Sequence, residues 1–306
     1  MKRVVILAGA TPLTRGAGAE MLRIAARVRM TGQIAASSAC FVEGGRPTLV
    51  DAFERTTGGQ PAEVVIVPYQ ITPCSVITTR LPQQVAELQR RHPYHDIRLT
   101  APIGAHPVVA QLVVQRATEA DYIATHPLVA YGIERAYEQD MRRPAQLGYH
   151  TGVEHDRARL SSTEFWRPLY SPQQIGLMLV APAVEQPAWE EPLHELSDQI
   201  RRRCHYAAVR AVFTHPHETT AVARTMTECA DNGIRYVIVV PCTLLPDPGL
   251  HEPLPALIAA ARSRHPTTTI ILAGYPGYDR RLVHAIVERA TQTIARMPLS
   301  VAALHV

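Results

Sequence analysis

Lysine is almost missing from this chain: Lys2 is the only one among 31 basic residues, so arginine carries nearly all of the positive charge. Those residues are scattered among 27 acidic ones, with Arg201-Arg202-Arg203 as the single run, and the concentrated basic footprint of a nucleic-acid binder is absent. Long apolar stretches are absent too. Val4 to Ala8 and Val237 to Val240 are strand-sized, far below the roughly 20 residues that a membrane-spanning helix needs, so no membrane span is expected. Lys2 and Arg3 imitate the start of a signal peptide, but Pro12, Thr14 and Arg15 break the following run, and the sequence reads as cytoplasmic. The five cysteines (Cys40, Cys74, Cys204, Cys229, Cys242) contain no CxxC pair and are odd in number, which argues against a disulfide framework and a zinc knuckle. Nucleotide signatures are also lacking. Gly16-Ala17-Gly18-Ala19-Glu20-Met21 has two glycines of a dinucleotide fingerprint but not the third, and neither GxxxxGK[ST] nor GxSxG occurs, so no nucleotide cofactor and no hydrolase elbow are expected.

What is present is a folded composition, 46% hydrophobic and 19% charged over 306 residues, enough for two domains or one large one. The chain also matches itself without a gap at an offset of 173 residues. Val5-Ile6-Leu7-Ala8 falls on Met178-Leu179-Val180-Ala181, Val64-Val65-Ile66-Val67-Pro68 on Val237-Ile238-Val239-Val240-Pro241, and Arg91-His92-Pro93 on Arg264-His265-Pro266. So many matches in register mark a duplication. In the first copy, apolar runs near 3–9, 34–42, 63–69 and 96–101 alternate with amphipathic stretches near 16–30, 46–56, 78–91 and 107–119. Continuous Val/Ile/Leu runs indicate strands covered on both faces, with helices as the crossovers of a parallel sheet. The expected fold class is therefore α/β, two tandem doubly wound parallel-sheet domains facing a central cleft. The boundaries are 1–120, a linker or lid at 121–175 that opens with a helix over 127–140, and 176–306.

In open α/β sheets ligands bind outside the carboxyl ends of the strands. That rule selects Gly9, Thr11, Cys40, Glu43, Gln70, Cys74 and His106 in the first copy. In the second it selects Pro182, Glu185, His215, His217, Cys242, Asp247, His251, Tyr275 and Asp279. The second copy is the richer in imidazole. His215 and His217, with His251 and Glu252 from the next strand end, form a candidate donor set for a divalent transition metal. The same segment also fits a Pro216 turn in which one histidine caps the following helix. His150, Glu154 and His155 form a second group in the linker, where a solvated segment is the simpler reading.

Several of these residues carry a resemblance. The first strand Val4-Val5-Ile6-Leu7-Ala8, the helix start Pro47-Thr48-Leu49, Val65-Ile66-Val67-Pro68 followed by Leu81-Pro82, and the turn Ile103-Gly104-Ala105-His106-Pro107 together resemble the class II chelatases, the sirohydrochlorin cobalto- and ferrochelatase family. The resemblance implies a lyase of cobalamin or siroheme synthesis that inserts Co²⁺, Fe²⁺ or Ni²⁺, as substrate, into a tetrapyrrole without a nucleotide. It also implies histidines at the ends of the first and third strands, to bind the metal and accept pyrrole protons. Here those positions hold Gly9 and Val76 in one copy and Pro182 and Gly249 in the other, none of which can do either through its side chain. Two expectations follow. In the first the site has moved, with His215, His217 and His251 as metal ligands and His251, Glu252 and His106 as catalytic groups. In the second catalysis is lost, leaving a tetrapyrrole carrier or regulatory protein. The partner expected is a tetrapyrrole, with no nucleic acid and no membrane, on a monomer or homodimer.

Overall fold

The computed structural model describes residues 1–12, 14, 16–125, 170–215 and 220–295. The first copy runs β1 (Lys2–Gly9), α1 (Ala17–Met30), β2 (Ala36–Phe41), α2 (Leu49–Thr57), β3 (Ala62–Pro68), a π-helical turn (Val76–Arg80), α3 (Leu81–Arg91), β4 (Asp96–Leu99) and α4 (Pro107–Thr125). The second runs β5 (Ile175–Pro182), α5 (Glu191–Arg203), β6 (Ala208–Thr214), α6 (Thr220–Asp231), β7 (Tyr236–Pro241), a single turn α7 (Pro248–His251), α8 (Leu254–Arg264), β8 (Thr269–Leu272) and α9 (Leu282–Ala295). The sheets have the same order, β2-β1-β3-β4 and β6-β5-β7-β8, and every pairing is parallel. Two tandem doubly wound domains are thus present, as the alternation of runs requires. Among the described residues no helix is long and apolar enough to cross a membrane.

Local signals account for the element ends. Thr48 starts α2 with a reciprocal capping box, its side chain accepting from the Asp51 amide while Asp51 accepts from the Thr48 amide; the helix stops at Gly58 in the left-handed region, φ 61°. Helix α4 continues to Thr125, past the end expected near 119. The helix expected over 127–140 lies outside the described residues.

Alternation along the central strands sends side chains to two cores. Val4, Ile6 and Val64 face α2 and α3 with Phe53 and Leu81, and Met178, Val180 and Val239 pack with residues of α6 and α8 in the same way. The other faces meet in one shared core. Val5, Leu7, Val65 and Val67 of the first sheet belong to the same buried cluster as Leu177, Leu179, Ile238 and Val240 of the second, with side chains of α1, α4, α5 and α9 among them.

The last helix of each copy crosses to the other. Helix α4 packs on β7, β8 and α5, whereas α9 packs on β3 and α1. Polar contacts fix the exchange. Arg116, 3% exposed, donates to the Tyr275 and Pro276 carbonyls at 3.2 Å each, and Tyr236 donates to buried Asp121 at 2.5 Å. In the opposite sense Arg289 donates to the Ile103 carbonyl at 3.3 Å, and Arg98 reaches the Thr293 and Ile294 carbonyls at the end of α9.

Candidate functional site

The carboxyl ends of the first sheet carry the sharpest departure from what the fold implies. Gly9 ends β1, and a Cβ built there would stand 2.9 Å from Met21 Sδ and 3.0 Å from Phe41 Cε1. The place of a side chain's first carbon at that strand end is taken by a thioether and a phenyl ring. Val76 opens the π-helical turn and packs against the outer core. In the second copy Pro182 closes β5 and Gly249 lies inside α7, so the structure puts no imidazole at any of the four positions.

His251 is the imidazole that the second copy supplies nearby. Asp247 caps α7, its side chain accepting from the Leu250 amide at 3.3 Å, and the turn ends on His251. Its ring stacks on Tyr275, centroids 5.0 Å apart and planes 27° apart, while Nε2 lies 3.3 Å from Thr243 Oγ1. Burial holds the imidazole below its ordinary pKa, with the Asp247 carboxylate working the other way. The neutral ring is the form that binds a metal or accepts a proton. Tyr275 in turn donates to Glu20 Oε1 on α1 at 3.2 Å, so a side chain of the second copy is anchored on a helix of the first. Behind them lies Tyr69, whose phenol is pushed well above its ordinary pKa, chiefly by burial and then by Glu20.

A second contact joins the strand-end loops. Ser75, after β3, donates to Glu185, after β5, at 2.7 Å. Cys74 beside it is pushed up by burial and by the Glu185 charge. The thiol of Cys40, at the end of β2, is pushed up to about 12 by burial, and that of Cys242, just after β7, is raised by the same cause. Without a metal these thiols stay protonated near neutral pH. Glu43, after β2, is ion-paired with Arg80 at 2.5 Å.

The other sequence candidates are placed as follows. Glu252 caps the end of α7 and is exposed, one residue from His251. His215 is exposed at the end of β6, and His217 lies outside the described residues, as do His150, Glu154 and His155. Among the described residues no three His, Cys, Asp or Glu side chains are grouped to hold a metal ion. His106 has both ring nitrogens engaged: Nδ1 accepts from the Val108 amide at 3.2 Å, and Nε2 lies 3.1 Å from Glu288 of α9. That turn opens α4 and ties it to the other copy, which leaves the ring no free nitrogen for a metal. Sequence reasoning had Tyr275 as a strand-end residue but not its partner Glu20, since the pairing depends on how the copies interlock. A cavity of about 360 Å³ lies elsewhere, between the end of α2 and the α3–β4 turn, lined by Phe53, His92, Tyr94 and His95.

The CbiX family model matches the chain twice, over residues 8–120 and 176–293. No protein of curated function matches the sequence. Among solved structures the chain is similar to SirB from Bacillus subtilis with Fe³⁺, with a TM-score of 0.68 and 16% identity over 96% of each chain. It is similar to the sirohydrochlorin chelatase SirB from Bacillus subtilis subspecies spizizenii in complex with cobalt, with a TM-score of 0.66 and 14% identity over 96% of this chain and 95% of that one. A third likeness is to DR2241 from Deinococcus radiodurans, a multi-domain protein with structural similarity to chelatases and two additional novel domains: TM-score 0.66, 16% identity, 95% of this chain and 55% of that one. At these identities the likeness is one of fold.

Proposed function

The chain belongs to the CbiX family, in a duplicated form, and on that footing we propose that it is a tetrapyrrole metal chelatase whose site has moved within the second copy. The substrates are a divalent metal such as Co²⁺ or Fe²⁺ and a sirohydrochlorin-type macrocycle, with insertion and removal as the two directions of one reaction. The observation that carries the reading is His251: two residues beyond the vacant position at Gly249, half-buried, held by Thr243 and Tyr275, and kept neutral by burial.

Insertion of a divalent ion releases two pyrrole protons, so the site must present a lone pair to the metal and a base to the macrocycle. His251 supplies the first through an uncharged ring nitrogen. Exposed Glu252 beside it supplies the second, in a place from which a proton passes to water. His215 and His217 are the proposed further metal donors. Replacing His251 or His215 with Ala tests the assignment: the relocated site predicts loss of metal affinity and of insertion, and unchanged values in both variants contradict it.

A second reading is favoured by the packing at Gly9. Met21 and Phe41 take the place of the first side-chain carbon of the family's first-strand histidine, as they would in a protein that keeps the fold but binds a tetrapyrrole without metallating it. Titrating macrocycle and metal separately divides the two, because a carrier binds the macrocycle whatever stands at position 251.

A further inference from the structure

Comparison of the two copies isolates a feature that the repeat itself does not require. At the offset of 173 residues, His251, Tyr275, Thr243 and Glu20 correspond to Thr78, Pro102, Gln70 and Leu193. The other half of the molecule builds the same β-strand order and the same crossing of its last helix without any of these four side chains. A contact needed to form the fold would be expected on both sides. This one is on one side only, and it surrounds the one imidazole at the third-strand end of either copy.

Its geometry leaves the ring little freedom. Tyr275 covers one face of the His251 ring, at a 5.0 Å centroid separation, while Thr243 Oγ1 meets Nε2 at 3.3 Å. A stacked ring cannot flip without sliding off its neighbour, and a hydroxyl on one nitrogen sets which nitrogen is turned outward. Tyr275 is itself fixed at both ends. Its carbonyl accepts from Arg116 at 3.2 Å, and its hydroxyl donates to Glu20 at 3.2 Å, so both anchors come from the first copy. Its neighbour Gly277 is in the left-handed region, φ 54°, and a Cβ there would stand 2.7 Å from the Tyr275 ring, so the turn closes directly over the phenol.

We infer that Tyr275 is a positioning residue for His251, and that its bond to Glu20 makes the orientation of that imidazole depend on both copies of the repeat. The inference rests on the reading of His251 as the imidazole that meets the metal. Tyr275 touches neither metal nor macrocycle in this assignment. It acts by holding a ring in the direction that binding requires, and Glu20 acts by holding Tyr275.

The test uses the full chain with Tyr275→Ala, Tyr275→Phe and Glu20→Ala, the thermal transition of each being measured alongside. Tyr275→Phe keeps the stack and loses the hydroxyl; Tyr275→Ala loses both. Steady-state insertion of Co²⁺ into sirohydrochlorin is expected to show kcat lowered about tenfold or more in Tyr275→Ala, with the macrocycle KM little changed, because misdirecting a positioned group by about 1 Å removes that much. Tyr275→Phe and Glu20→Ala, which keep the stack and cut the bond to the first copy, are each expected to show a loss of kcat smaller than that of Tyr275→Ala and alike in the two variants. Equal kcat in Tyr275→Ala and wild type overturns the inference, and wild-type kcat in both Tyr275→Phe and Glu20→Ala overturns its claim that the bond to the first copy sets the orientation. Co²⁺ binding without macrocycle, followed by its visible ligand-field bands, is measured in parallel. If the wild type does not metallate the macrocycle, the chelatase reading fails by itself. Positioning is then read from Co²⁺ affinity alone, where weakening in Tyr275→Ala sustains it, and either equal affinity or a wild type that binds no Co²⁺ overturns it.

Discussion

Arg116 and Arg289 stand at equivalent positions of the two repeats, and each donates to a carbonyl of the opposite copy, Arg116 to Pro276 and Arg289 to Ile103, which are themselves equivalent. Each arginine sits on the helix that has crossed over, and each holds the strand-to-helix turn of the copy it has joined. Chain duplication has thus produced two halves that complete one another.

Truncating Arg116 to Ala is expected to destabilise the whole chain by about 3–5 kcal/mol, since its side chain is 3% exposed and pairs with Glu119 at 2.7 Å, and its loss leaves two carbonyls without this donor and the Glu119 carboxylate with Gln115 but no cation. Arg224→Ala, which breaks a pair with more than half of each side chain exposed, is expected to change stability by less than about 1 kcal/mol. Urea unfolding of both variants checks the contrast.

Residues 1–125 alone keep α4 but lose the second sheet on which it packs, and leave the face of β3 that receives α9 uncovered. The fragment is expected either to dimerise by exchanging α4 between two copies or to remain unfolded. Sedimentation equilibrium checks this, and a stable folded monomer contradicts the interlocked description.

Restoring the family's imidazole by Gly9→His is expected to lower stability by about 1–3 kcal/mol and to give no gain in insertion, because the new Cβ meets Met21 Sδ and Phe41. Met21→Ala alone is expected to cost about 2–5 kcal/mol, and less in the Gly9→His chain, where the imidazole takes up part of the space it vacates. Thermal unfolding of the single and double variants measures the coupling.

His251 also predicts a pH dependence. Its folded pKa lies below the unfolded value of about 6.5, so the unfolded chain binds the proton more readily between the two values. The stability this imidazole retains is complete above about pH 6.5 and is lost as the pH falls through the unfolded value toward the folded one. Denaturation midpoints at pH 7.5 and 5.5 are expected to fall further in the wild type than in His251→Ala.

Much of this architecture is legible in the residues themselves. The apolar runs at Val4–Ala8 and Val237–Val240 locate central strands, and the register of 173 residues locates the second sheet from the first. The helix exchange is not legible. Val109, Leu112, Val113 and Ala117 state that a face of α4 is buried but not against which of two sheets of the same strand order. The same ambiguity affects the site. His106 stands in a family-like turn, yet the nearness of Glu288 depends on α9 crossing over, and so does the approach of Glu20 to Tyr275. The vacancy at Gly9 is visible in the sequence, while its filling by Met21 and Phe41 needs three dimensions.

The most direct test of the proposed chemistry is an anaerobic absorbance assay of sirohydrochlorin with Co²⁺, with and without the protein. The account predicts metallation faster than the protein-free mixture, and a rate reduced toward it in His251→Ala. A macrocycle band that shifts on adding protein but metallates no faster than the blank would contradict it and leave a tetrapyrrole-binding protein.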